Sequence, residues 1–274
     1  MRVATPASAE AFLAAVRDAA GAVDAVVVLG GDGSVHLAAQ ELAQTGTPLG
    51  VIPAGSGNDF ADTIGMPAAA PDAVEGVLAA LDAASVRAVD LGRVQDGPWF
   101  TTVLCAGFDS AVTERANALH RPAGRRRYAV AIGLELARLR PRNFLVQADG
   151  RFLDGPATMV AIGNGPQYGG GMLIAPDARL DDGLFQVVVV GPVSRTTLLR
   201  LAPRMSRAGH IGHGAVGTFR ARSISLDAAG TVGYADGERV GPLPVRASCI
   251  PGALRVLVPP GSLGPGFSTE GTSR

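Results

Sequence analysis

Apolar positions along the chain follow two rhythms, and the change between them falls near residue 88. In the first part Phe12, Leu13 and Val16 recur at helical spacing and predict an amphipathic helix over 8–20. Ala25-Val26-Val27-Val28-Leu29 is instead a short continuous apolar run closed by glycine, the signature of a strand covered on both faces. Good helix formers follow from Val35 to Leu42, then a short strand at 48–53, then a helix over 71–84 opened by Pro71. Two strand–turn–helix units in succession predict a parallel, Rossmann-like α/β sheet. From Val86 onward period-two alternation dominates. Strands are expected at 86–94, 99–106, 143–149, 157–163, 184–190, 222–227, 231–236, 244–248 and 253–258. Helices are expected at 109–119, 126–140 and 194–206, and the whole reads as a mostly antiparallel β-sandwich. The expected division is an α/β domain over 1–88, a β-rich domain over 89–262, and a disordered Gly/Pro/Ser-rich tail over 263–274.

Composition narrows this little. The 274 residues are 47% apolar, enough for a packed core despite 37 glycines and 19 prolines. Zero net charge with 18% charged residues excludes a general nucleic-acid binder. Two cysteines, Cys105 and Cys249, sit in apolar segments and read as buried thiols without a disulfide or metal spacing. No run reaches membrane-spanning length, and Glu10, Arg17 and Asp18 interrupt any leader-like stretch, so a cytoplasmic protein is expected.

Candidate chemistry collects at two glycine turns. Gly30-Gly31-Asp32-Gly33-Ser34 joins a strand to a helix, where bare backbone amides and the helix dipole suit phosphate. Asp32 would repel phosphates unless a cation lies between, so the turn points to a metal–nucleotide site; plain turn chemistry is the alternative. Gly55-Ser56-Gly57-Asn58-Asp59 follows the next strand and belongs on the same sheet edge. A helix cap by Ser56 or Asn58 accounts for one of these residues, not for Ser56, Asn58 and Asp59 together. Asp236-Gly237-Glu238 is a strong hairpin signal that also presents two carboxylates. His210-Ile211-Gly212-His213 spells a synthetase motif in the wrong context and reads as loop. Arg121, Arg125, Arg126 and Arg127 form the one dense basic run, either a solvated helix start or a contact for anionic headgroups.

Together these stretches resemble the diacylglycerol kinase catalytic family of lipid kinases, related to sphingosine kinases, over about residues 8–260. Gly30–Ser34 looks like that family's GGDGT turn, a turn that NAD kinases and phosphofructokinases share in similar form. Gly55–Ala61 resembles the lipid kinases' GTxNDFA stretch. Gly169-Gly170-Gly171 with Pro176–Phe185 is similar to their GGG…PxAxxxDG segment, and Asp236-Gly237-Glu238 matches their DGE triplet. The resemblance implies transfer of the ATP γ-phosphate to a lipid hydroxyl, with a kinase of a soluble small molecule or a non-catalytic binding paralogue as alternatives. It implies that Gly30, Gly31, Asp32, Gly33, Ser34, Ser56, Gly57, Asn58 and Asp59 bind the nucleotide, with Asp32 on the catalytic Mg²⁺ and Asp59 beside it. Glu238 would be the base, and Asp236 would face the same side to assist. A structural Mg²⁺ would be held by Asp182 and the main-chain carbonyls of Arg179 and Leu184, and Asp90 would serve a metal network or an interdomain hydrogen bond. The implied partner is a lipid at a membrane surface, with peripheral contact at the inner face; a homodimer is compatible. Family members carry a strand upstream of the first helix that Met1–Ala4 is too short to supply, so the sheet is expected to start one strand short, with an unpaired edge.

Overall fold

The computed structural model describes residues 2–119, 121, 125–262 and 264–268. The first layer contains α1 (Ala9–Ala19), β1 (Val26–Gly30), α2 (Asp32–Leu42), β2 (Leu49–Pro53), α3 (Asp59–Thr63) and α4 (Ala70–Asp82). Ser8 caps α1 by accepting the Ala11 amide at 3.2 Å. β1 and β2 pair in parallel, with Val28 opposite Val51. The second part runs β3 (Val86–Val94), β4 (Trp99–Phe100), β5 (Val103–Gly107), α5 (Phe108–Ala118), α6 (Arg125–Ala137), β6 (Arg142–Ala148), β7 (Arg151–Ala157), β8 (Met159–Gly163) and β9 (Phe185–Val190). It continues through α7 (Arg195–Leu201), a 3₁₀ segment over Ala202–Arg207, β10 (Val216–Ala221), β11 (Ser223–Asp227), β12 (Val232–Ala235), β13 (Glu238–Pro242) and β14 (Val245–Leu257).

Two sheets result. One has the order β10-β9-β8-β5-β12-β13 and is antiparallel throughout. The other runs β1-β2-β14-β11-β6-β7, with β3 alongside β14 and β4 alongside β3. The inner faces of the sandwich meet over Phe100, Phe144, Phe185, Ile224 and Leu226, and the Phe100 and Phe185 rings stack with centroids 5.5 Å apart.

The expected architecture is present, with four differences. The first sheet is mixed rather than parallel, because β14 joins β2 in parallel (Val256 opposite Leu49) and β3 antiparallel. β14 is one strand where Ile250-Pro251-Gly252 reads as an interruption; a register shift between Ile250 and Leu254, with Gly252 at φ +61°, absorbs the break. β7, β10 and β13 escaped the list of expected strands, and all three are edge strands with little inward-facing apolar alternation. Residues 264–268 belong to the stretch expected to be disordered, yet Phe267 is buried in the first core under the Arg87 guanidinium, and Gly266 bonds to Leu180 and Thr63; residues 269–274 lie outside the described residues.

The first core is not closed by the first 88 residues. Val28, Val35, Leu42, Val51 and Phe60 pack with Leu254, Val256, Leu257 and Val258 from the far end of the chain. β1 lies at the sheet edge, and its outward side chains Val27 and Leu29 are 42% and 67% exposed. Its edge position is the open edge expected from the sequence, whereas the exposure of Val27 and Leu29 leaves one face uncovered, unlike the strand covered on both faces that the apolar run predicts.

Candidate active site

The glycine turns meet at the C-terminal ends of β1 and β2. Gly31 and Gly55 touch backbone to backbone: a Cβ on Gly31 would lie 2.8 Å from the Gly55 Cα, and one on Gly55 2.5 Å from the Gly31 Cα. Both glycines are therefore required by the crossing of two main chains. α2 starts at Asp32, so the amides of Asp32 and Gly33 stand at a helix N-terminus, while the Ser34 amide closes back on the Gly31 carbonyl at 2.9 Å. The space beside Gly33 is open, and the Ser34 side chain turns back over Gly30. Ser56 is exposed. Asn58, in the left-handed region at φ +61°, accepts the Gly55 amide at 2.8 Å and donates to the Gly55 carbonyl at 3.0 Å. Its side chain shapes the loop, leaving one lone pair and one N–H for any ligand.

The two carboxylates of this edge behave differently. Asp59 is buried and accepts the amides of Gly170 and Gly171 at 2.8 and 2.7 Å, clamping the triple-glycine loop of the second part against the first. Asp32 is half-buried and accepts the Phe60 amide at 3.2 Å. Burial pushes its pKa up; the Phe60 hydrogen bond opposes this and the nearby Asp59 charge adds to it. A Cβ on Gly57 would approach Asp32 Oδ2 to 2.6 Å and Asp59 Oδ2 to 3.3 Å, so the two carboxylates flank one point. Asp32 has no cationic side chain paired with it among the described residues. Two hard oxygen donors at one point, one of them lacking a counter-charge, fit a divalent cation such as Mg²⁺.

The third element is a two-residue hairpin. Asp236 (φ +51°) and Gly237 (φ +84°) join β12 to β13, with Ala235 opposite Glu238. The two carboxylates expected to act together differ in burial, Asp236 being enclosed and Glu238 exposed. The Asp236 side chain is 1% exposed and accepts five hydrogen bonds. These come from the Thr101 amide (2.7 Å) and hydroxyl (3.1 Å), the Thr102 amide (2.9 Å) and hydroxyl (2.7 Å), and His36 Nδ1 (3.1 Å). Burial raises the Asp236 pKa, but His36 and the Thr101 and Thr102 amides outweigh it and leave the carboxyl below its ordinary value. For His36, burial works against the charged form, and Asp236 with Glu238 overcomes it, so the imidazole titrates above its usual value. Asp236 is thus an anchor, tying α2, the 101–102 segment and the hairpin together. Glu238 is exposed, with no hydrogen bond to another side chain among the described residues, and its charge reaches His36.

The 176–184 loop differs from its expected role. Asp182 accepts the Leu184 amide at 3.0 Å and pairs with Arg220 at 2.8 Å, while Arg220 also reaches the Asp177 carbonyl. The Arg179 guanidinium lies on the carbonyls of Pro176 and Ala178. The carboxylate assigned to a structural Mg²⁺ is therefore paired with a guanidinium in this arrangement, which a metal there would have to displace. Asp90 accepts the Gly183 amide at 2.6 Å and the Gly252 amide at 2.8 Å, so it ties β3 to the 176–184 loop and to the bend of β14 within the second part of the chain.

His36, Thr101 and Thr102 escaped the sequence reading. The usable signal was His36 itself, a histidine on the buried face of α2 that needs a partner. His210 is buried against the Ile174 carbonyl and His213 accepts the Ala215 amide, so the synthetase-like motif is loop structure. Cys105 and Cys249 are both buried and unpaired.

Comparisons with known proteins agree with this layout. Residues 1–94 match the diacylglycerol kinase catalytic domain, and residues 102–258 match the YegS C-terminal NAD kinase beta sandwich-like domain. The chain is 44% identical to the "Diacylglycerol kinase" of Mycobacterium tuberculosis (strain ATCC 25618 / H37Rv), over 86% of this chain and 77% of that one. It is 31% identical to the "Probable lipid kinase YegS-like" of Stenotrophomonas maltophilia (strain K279a), over 87% and 80%. In fold it resembles a crystal structure of a Bacillus anthracis diacylglycerol kinase (TM-score 0.70, 20% identity, 94% of this chain and 84% of that one). It also resembles an Archaeoglobus fulgidus NAD kinase in complex with ATP (TM-score 0.53, 12% identity, 94% and 84%). With both of its halves matched in order, and with the hairpin tied to the helix of the first glycine turn through His36 and Asp236, the chain belongs to the diacylglycerol kinase family of lipid kinases.

Proposed function

We propose that this protein transfers the γ-phosphate of ATP to the hydroxyl of diacylglycerol or a related lipid. The observation that carries the reading is the pairing of an open glycine edge with one exposed carboxylate on a rigid turn. The amides of Asp32 and Gly33, with the Ser34 and Ser56 hydroxyls, are suited to phosphate oxygens. Asp32 would hold Mg²⁺, with Asp59 beside it; the ion supplies neutralisation of the charge that builds on the phosphoryl oxygens. Glu238 takes the proton of the acceptor hydroxyl as its oxygen bonds to phosphorus and the bond to the ADP oxygen breaks. A positioned base contributes roughly 10²–10⁴-fold. Asp236 contributes by locking the turn, not by touching substrate. In this scheme residues 1–88, completed by the end of β14, carry the nucleotide, and residues 89–262 carry the lipid.

The test is incubation of the purified chain with γ-labelled ATP, Mg²⁺ and dioleoylglycerol in detergent micelles. Label in an extractable lipid that is lost in Glu238→Gln supports the reading. Label in a water-soluble product would assign a soluble acceptor, and nucleotide binding without transfer would assign a binding protein.

A further inference from the structure

α6 has the wrong surroundings for its composition. Between Arg127 and Arg138 it reads Tyr128-Ala129-Val130-Ala131-Ile132-Gly133-Leu134-Glu135-Leu136-Ala137, with one charged residue. A helix apolar on every side belongs in a core or in lipid. Here Ala131 alone is fully buried, against Val112 and Ala116 of α5, while Tyr128, Val130, Ile132 and Leu134 are each 39–42% exposed. The single charge, Glu135, is neutralised by Arg115 of α5 at 2.7 Å. The outward surface is therefore apolar and uncharged over about three turns. Arginines border it at both ends: Arg126 before it, Arg138 and Arg140 after it, all exposed.

We infer that α6 is an interfacial helix that lies on an anionic lipid surface, an inference that rests on the lipid-kinase reading above and names its membrane contact. Apolar side chains bounded by arginines match the acyl–headgroup boundary, with the guanidinium groups reaching the phosphates. A protein partner would be expected to complement the rims with carboxylates, whereas a bilayer supplies negative charge on every side of the apolar strip. The position suits the chemistry. Glu114 of α5, one residue from the contact to α6, accepts from Tyr234 at 2.7 Å and pairs with Arg239 at 3.3 Å, next to the hairpin that carries Glu238. Docking α6 would hold the base near the surface where a lipid hydroxyl emerges.

The test is co-sedimentation of the full chain with phosphatidylglycerol/phosphatidylcholine vesicles and with phosphatidylcholine vesicles alone. Binding is expected to favour the anionic vesicles. Ile132→Ser/Leu134→Ser should lower partitioning on the order of ten-fold or more, and Arg138→Glu/Arg140→Glu by about five-fold for each charge removed, an effect that high salt erases. Both variants should keep wild-type turnover on a short-chain, soluble diacylglycerol. Vesicle binding by a chain that phosphorylates no lipid would remove the kinase reading and retain this one. Unchanged vesicle binding in both variants would overturn it, as would a wild-type dimer in size-exclusion chromatography that Ile132→Ser/Leu134→Ser abolishes while vesicle binding persists.

Discussion

Two regions of this protein look alike in sequence and have opposite chemistry. The glycine edge with its hairpin and the 176–184 loop each combine glycines with carboxylates. In the loop, protein groups answer those carboxylates. Asp181 is held by the Ser268 amide and hydroxyl, Asp182 by Leu184 and Arg220, Asp177 by Gln186, and Asp90 closes on Gly183 from outside. At the glycine edge and hairpin the same residue types divide into anchors and open groups. Asp59 accepts two backbone amides and Asp236 accepts four Thr101 and Thr102 donors and His36, whereas Asp32 has no counter-charge among the described residues and Glu238 is exposed. A carboxylate in a motif is thus chemical or structural according to what its neighbours already donate, and spacing alone does not distinguish the two.

The sharpest test of that division lies within the hairpin. Glu238→Gln should lower kcat by about 10²–10⁴-fold with no change in the denaturant midpoint, because the side chain is exposed. Asp236→Ala should do the reverse in kind. Removing it leaves a buried imidazole and four Thr101 and Thr102 donors without an acceptor, which costs about 3–5 kcal/mol in urea unfolding. A stable, inactive Asp236→Ala would return Asp236 to the reaction centre.

That distinction marks where the sequence stopped being informative. Both glycine turns, the DGE hairpin and most strands were legible because each leaves a local signature. The division of labour between Asp236 and Glu238 was not, because it depends on His36 and Thr101, about 200 and 135 positions away along the chain. The occupation of Asp182 by Arg220 was hidden for the same reason. Edge strands β7, β10 and β13 were hidden because an edge does not require alternation.

Smaller effects follow. Gly31→Ala forces a methyl into the Gly55 main chain, with an expected cost of about 1–3 kcal/mol and weaker ATP binding by calorimetry; a wild-type affinity would show that the contact yields. The His36–Asp236 pair sets a pH window. His36, raised above 6.5, contributes fully below its unfolded value and loses that contribution as pH rises through its folded value. Asp236, depressed below 3.8, contributes above its unfolded value and loses that as pH falls through its folded value. The melting-temperature difference between wild type and His36→Gln should therefore be widest between these limits and narrow on the alkaline side of His36; a difference constant with pH would argue against a charged pair. Least of all, Asp182→Asn should cost about 0–1 kcal/mol, because Arg220 is half exposed. It should also leave the Mg²⁺ dependence of turnover unmoved, and a shifted Mg²⁺ midpoint would restore a metal to that loop.

The return of β14 to the first sheet bears on how the chain is made. During synthesis β1 and β2 leave the ribosome roughly two hundred residues before the strand that completes their sheet and the Phe267 ring that covers their core. The nucleotide half is the first part translated and among the last able to finish folding. Until then its early strands expose both edges, and a growing chain stopped short of Leu254 holds an antiparallel sandwich beside an unfinished nucleotide fold.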